Sequence, residues 1–493
     1  MTKKDFKYAL QRGLGRCVIE LQQTDKKEEY KDLVLWACTH DLAYDTQCEG
    51  TRSWYLYELI RCYTDKEIFL QAIIRQFNQN LTSYDGWDFN RCCELLELFA
   101  ADGNLNAYQV LETGYKTIYK LLQNVKERDD IGSELFNNFE TLCISIVNFK
   151  STPNTDTVKE EFDSQCSSKI YLLPRKMNRL WSDSFCAVIE DIGRLLDENS
   201  NLDVCDFDYF QLFWKSEIGK LPVQELLKER SGKSPLIKTY VDAYERQKEN
   251  TAQFRQNYEH LLTAEGVYST LKNGGKSGRD IPIMIGSTML NKGKCDEVKK
   301  LAEYYKEEKE EDIRTELLFL LGNHKCANLL DTCSVIGDAD SYNEELRNNA
   351  VRALTEMKSE KVRDYALSVI DETDCPEDVI SMLVHNYHKE DYGQFVKLLY
   401  DLPISYEDCG WHGAFISIIE VFEEKEPHSL PTEILSYMYS ETLCSCCRQG
   451  IVKEMGRHNL LSDKILRECL HDSNDDIREY AEKVILCNGK AEI

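Results

Sequence analysis

Four short stretches carry the residue types that chemistry uses. Cys444-Ser445-Cys446-Cys447, with Cys469, His471 and His458 downstream, offers thiols and imidazoles in number. A zinc site needs four such ligands converging on a tetrahedron. On a helix, positions i, i+2 and i+3 point in different directions, and only 444 to 447 has the C-x2-C spacing. The cluster therefore reads as small side chains packing where helices approach closely, not as a metal centre. Asp408-Cys409-Gly410-Trp411-His412-Gly413 places an acid, a thiol and an imidazole together. Nucleophilic catalysis requires such groups to meet in space beside an oxyanion site, which adjacency in sequence does not supply. A helix start with His412 at the surface and Trp411 beside it is the simpler reading.

The third stretch, Asp45, Glu49 and Arg52 followed by Trp54 and Tyr55, is the densest polar and aromatic patch in the first 150 residues. Thr46-x-x-Glu49 fits a capping box that starts the helix carrying Arg52, Trp54 and Tyr55, and Glu49 to Arg52 fits an i, i+3 ion pair. The same residues could also receive a basic polypeptide. Asp45, Glu49, Arg52, Trp54, Tyr55, Trp411 and His412 are thus the candidate partner-binding residues. No residue is assigned to catalysis, to a cofactor or to a metal. The fourth stretch, Gly275-Lys276-Ser277, ends like a phosphate-binding loop, but Thr270 stands where its first glycine belongs and no strand pattern precedes it, so it reads as a turn.

The elements that must position these groups show in a recurring pattern. In Asp475-Asp476-Ile477-Arg478-Glu479-Tyr480-Ala481 and onward, Ile477, Tyr480, Ala481, Val484 and Ile485 form the stripe of one helix face. Val362, Tyr365, Ala366, Val369 and Ile370 repeat it at identical offsets, and Ile313 and Leu346 begin two further copies. Each first apolar residue is followed by arginine (Arg314, Arg347, Arg363, Arg478) and preceded by two positions by an acid (Glu311, Glu344, Glu360, Asp475). Acids in a first turn answer the positive end of the helix dipole, so the pattern marks helix starts. The arginines read as ladder residues between repeats. Ile313 to Leu346 is 33 residues, and Leu346 to Val362 is about half that, which places Val362 on the partner helix of the same hairpin.

A period in the thirties made of two short helices is the mark of an α-solenoid. The acidic-aliphatic-Arg-x-x-Ala pattern resembles the HEAT repeats of the HEAT/armadillo-like class, best over the C-terminal half. That resemblance implies an all-α superhelix of stacked antiparallel helix hairpins whose inner helices line a concave surface for a protein partner.

The chain has 493 residues, 86 acidic and 60 basic, a formal net charge of -26. This balance argues against a nucleic-acid backbone or an anionic membrane as default partner and favours a basic one. The longest uncharged runs, such as 281–291, are far short of a membrane span, and the first residues lack the apolar core of a signal peptide. Twenty cysteines in so long a chain then read as reduced thiols of a cytoplasmic protein.

Proline is absent before Pro153, and helices are expected at about 5–23, 27–40, 48–63, 65–79, 88–101, 104–125 and 131–149. The organisation read from the sequence is an N-terminal helical block over 1–150, a loop over 151–175, an irregular helical block over 176–271 and a HEAT-like array over 272–493. The expected function is a non-enzymatic scaffold or adaptor, without cofactor, that binds a basic or extended polypeptide on an acidic, tyrosine-rich surface. Because some HEAT-like proteins resemble DNA glycosylases or lyases, a nucleic-acid-binding or enzymatic role is the alternative.

Overall fold

A computed structural model describes residues 1–82, 86–125, 133–150, 179–207, 217–218, 221–259, 263–274, 295–322, 324–371, 373–424 and 430–487. The 151–175 loop and the Gly275-Lys276-Ser277 turn lie outside the described residues. The fold is helical: the one strand pairing among the described residues joins Glu217–Ile218 to Leu221–Pro222. No described helix is long and apolar enough to cross a membrane. No disulfide joins the described cysteines.

The acid-aliphatic-arginine pattern does start helices. Glu311, Glu344, Glu360 and Asp475 are the first residues of Glu311–Leu321, Glu344–Thr355, Glu360–Val369 and Asp475–Cys487. The apolar stripe is the buried face: Ile313, Leu317, Leu346, Ala350, Val362, Ala366, Ile477 and Ala481 all lie in the core. The hairpin assignment needs correction. Glu344–Thr355 packs with the helix before it, Thr332–Ala339, while Glu360–Val369 packs with Pro376–His385 after it. Val362 therefore opens the next hairpin, because a four-residue turn separates it from the end of the previous one.

Two compact units follow from the packing. The first comprises Met1–Glu249, Leu443–Val452 and Leu461–Ile493, and the second comprises Asn250–Thr442 and Lys453–Leu460. These units cut across the sequence boundaries, since part of 272–493 folds with the N-terminal block. In the second unit Glu311–Leu321, Glu344–Thr355, Pro376–His385 and Gly410–Glu423 pack in succession as one layer, with starts 33, 32 and 34 residues apart. Cys295–Glu307, Thr332–Ala339 and Glu360–Val369 pair with the first three of them.

The first unit pairs its helices in the same way. Arg16–Gln23, Ser53–Arg61, Gly86–Ala101 and Ser133–Lys150 pack in one succession, and Lys3–Gln11, Lys31–Thr39, Glu67–Asn80 and Leu105–Gln123 in another. Two helices expected to be continuous are broken here. The expected 5–23 helix stops at Gln11 and restarts at Arg16, because Gly13 takes a φ of +68°, outside the helical region. The expected 48–63 helix is a single turn, Thr46–Glu49, followed by a break at Gly50 and Arg52, both at positive φ, before Ser53–Arg61. In the middle block, Phe185, Val188, Ile189 and Ile192 are buried along Arg179–Glu198.

Candidate functional site

The Asp45 to Tyr55 patch is an internal joint. Glu49 is 2% exposed, and its carboxylate is fully engaged. One oxygen accepts the amides of Tyr44 and Asp45 at 2.9 and 3.0 Å. The other accepts the Ser445 amide at 2.9 Å and the Arg52 guanidinium. Arg52, held in the left-handed region, also donates to the carbonyls of Gln11 and Leu443 at 2.9 Å each. The cap is displaced by one residue from the expected box: Asp45 accepts the Cys48 amide, while Thr46 turns away to Asp41. The Glu49 to Arg52 ion pair forms, in a bend between two helices instead of on one.

Tyr55 is buried and donates its hydroxyl to the Leu14 carbonyl at 3.0 Å. Trp54 lies beneath the Arg478 guanidinium, 3.9 Å from its ring centre. Trp411 is wholly buried and donates its indole N–H to the Ser405 carbonyl at 2.9 Å. Glu49, Arg52, Tyr55 and Trp411 are thus withdrawn from any partner-facing role by burial. Asp45 and His412 are half-buried, at the starts of Thr46–Glu49 and of Gly410–Glu423.

The cysteine cluster is likewise interior. Cys444 and Cys447 are buried, and the Cys447 amide donates to the Cys444 sulfur at 3.4 Å. The Cys446 thiol lies 3.6 Å from the Cys48 carbonyl, which can accept its hydrogen. Hydrogen bonding to Cys444, reinforced by burial, pushes the thiols of Cys446 and Cys447 well above the ordinary range. They stay protonated at neutral pH, the opposite of an activated nucleophile.

Of the four motif arginines, Arg314 and Arg363 pair with aspartates of later elements, whereas Arg347 and Arg478 donate to the carbonyls of Ser341 and Asp472. Arg314 reaches Asp338 at 2.5 Å and stacks on Tyr305, which itself donates to Asp338 at 2.6 Å. Arg363 grips Asp391 with two bonds of 2.8 and 2.7 Å. Arg448, outside the sequence motif, grips Asp472 at 2.8 and 2.9 Å, and neither side chain touches solvent. In each case the aspartate follows its arginine by 24 to 28 residues.

What remains at the surface is a tyrosine and acid face on the second unit. Tyr392 and Tyr400, on the helix Tyr392–Asp401, are 43% and 48% exposed. Tyr392 donates to Glu433 at 3.1 Å, and the Tyr400 ring lies 4.5 Å from that of Tyr437. Tyr406 nearby in sequence is also exposed, as are Glu390, Asp401, Glu407 and Asp408. These tyrosines escaped the sequence reading as individuals. Their signal was the abundance of tyrosine, 27 in all, together with the spacing of eight that puts Tyr392 and Tyr400 on neighbouring faces of one helix.

No protein-family model and no curated protein matches the chain. Among solved structures, a crystal structure of an engineered protein from the Northeast Structural Genomics Consortium is similar over 97% of this chain and 99% of its own, at 12% identity and a TM-score of 0.23.

Proposed function

We propose that this chain is a non-enzymatic scaffold: an α-solenoid of HEAT-like hairpins that binds a basic or extended polypeptide on an acidic, tyrosine-rich face. The observation that carries the reading is the exposed set Tyr392, Tyr400 and Glu433, with the half-buried Tyr437 ring against Tyr400. Tyrosine offers a large contact area at low entropy cost, and rings that already lean on one another lose little freedom on binding. The carboxylates beside them select a cationic partner, in keeping with the net charge of -26. Support for the solenoid comes from the near-constant spacing of successive layer helices and from the Arg to Asp pairs, which repeat one device at separations of 24 to 28 residues.

The test is a fluorescence-polarisation screen of labelled lysine- and arginine-rich peptides against the full chain. A bound peptide is expected to lose about tenfold or more in affinity to Tyr400→Ala and again to Glu433→Gln, with a steep fall as salt rises. Binding indifferent to salt and to both substitutions would remove this face from the proposal.

A further inference from the structure

We propose that Glu356, His385 and Glu420 form a binding site for a divalent transition-metal ion, a role independent of the peptide-binding reading above. One carboxylate oxygen of each glutamate and one ring nitrogen of His385 lie within 4.8 Å of one another. All three residues are half-buried, in reach of an entering ion yet shielded from bulk water. Around a cation with bonds near 2.1 Å, tetrahedral ligands sit about 3.4 Å apart, so small side-chain rotations close the set.

The second observation is His385 itself. Neither ring nitrogen touches solvent, and neither has a hydrogen-bond partner. A buried polar atom left unsatisfied destabilises the fold, and here there are two on one ring. A metal ion bound at one nitrogen would satisfy it and leave the other as an N–H donor, the usual state of a ligating imidazole.

The third is position. Glu356 immediately follows the helix Glu344–Thr355, His385 ends Pro376–His385, and Glu420 lies in the last turn of Gly410–Glu423. These are consecutive helices of one layer. Three helix C-termini, each carrying roughly half a negative charge, thus meet where two carboxylates already stand, an arrangement that favours a cation. Lys358, two residues after Glu356, is itself held by both oxygens of Glu424 at 2.7 and 2.8 Å. The backbone around Glu356 is braced on both sides. Asn328 donates to the Glu356 carbonyl at 3.2 Å and accepts the Lys358 amide at 2.9 Å, and Asn386 holds the Met357 carbonyl and the Ser359 amide. One nitrogen and two oxygens suit Zn2+, Mn2+ or Fe2+ more than a soft ion, and three protein ligands leave a position for water.

Co2+ is the probe for the test, because its spectrum separates a nitrogen and oxygen site from thiolate ligation, a necessary distinction in a chain with 20 cysteines. The metal-free 493-residue chain is expected to bind one equivalent with visible d–d bands and without the intense near-ultraviolet thiolate band. His385→Gln, Glu356→Gln and Glu420→Gln should each weaken binding about tenfold or more. The two glutamate replacements preserve shape, so they decide the matter even if the histidine variant fails to fold. A thiolate spectrum, no binding, or equal affinity in the folded glutamate variants would overturn the site.

Discussion

Asp378 and Glu308 show how burial and hydrogen bonding set opposite pH dependences within one unit. Burial pushes the Asp378 carboxyl up to about 6, and the neighbouring Glu377 charge adds to the effect. A raised carboxylate pKa means that the folded state holds the proton more tightly, so stability falls as pH rises from about 4 through 6. Asp378→Asn should therefore stabilise the protein at pH 7 by roughly 2 kcal/mol, with the gain vanishing near pH 4. Burial also raises Glu308, but the amides of Glu310 and Lys309, the Lys272 ammonium and the Tyr268 hydroxyl outweigh it and hold the carboxyl at about 2. Here the stabilisation is present above pH 4.5 and is lost as pH falls toward 2. Glu308→Gln is expected to cost about 1–2 kcal/mol at pH 7, less than the full shift implies, because Lys272 is partly solvated. Thermal melts of both variants from pH 3 to 7.5 check the signs. Parallel curves for variant and wild type would refute the assignments.

At the scale of elements, the motif helices are where sequence and structure meet most closely. The start of each motif helix and the buried stripe follow from local spacing, because helix periodicity and dipole complementarity act within a few residues, whereas the aspartates that meet Arg314 and Arg363 lie 24 and 28 residues on. What spacing could not show is which neighbour each helix pairs with, since Glu344–Thr355 has an amphipathic face either way. Glu49 makes the same point more sharply. Its sequence neighbourhood fits a cap, yet its decisive partner is the Ser445 amide, 396 residues away, and no local signal encodes that. The motif arginine Arg478 and the unpredicted Arg448 offer a contrast that experiment can read. Arg448 and Asp472 are a fully buried pair, so Arg448→Ala leaves a charge without compensation and should cost about 3–5 kcal/mol. Arg478 rests on the Trp54 face and donates to the Asp472 carbonyl at 2.7 Å from a half-exposed position, so Arg478→Ala should cost only about 1 kcal/mol. Chemical denaturation that ranked the two in reverse would contradict the burial argument.

For the whole molecule, the consequential feature is that residues from both ends of the chain build the first unit. Arg16 pairs with Glu468 at 2.8 Å, the Ser473 amide donates to the Gly13 carbonyl at 2.9 Å, and any side chain on Gly13 or Gly15 would collide with the 468–473 segment. The turn at Gly13 to Gly15 is thus shaped to receive a segment about 450 residues further along the chain. A chain truncated after Leu460 would leave the Arg16, Trp54 and Arg448 side chains without the partners that Glu468, Arg478 and Asp472 supply. It would also bare the apolar surface around Leu14, Cys17 and Val18, each inaccessible to solvent in the intact chain. Hydrogen exchange should then show lost protection across Lys3–Gln11, Arg16–Gln23 and Ser53–Arg61, while Glu311–Leu321 and Glu344–Thr355, whose packing lies within the second unit, keep theirs. Undiminished protection of the first three helices would mean that the N-terminal block holds its fold by its own hairpins, and that the 461–487 segment is only a passenger on it.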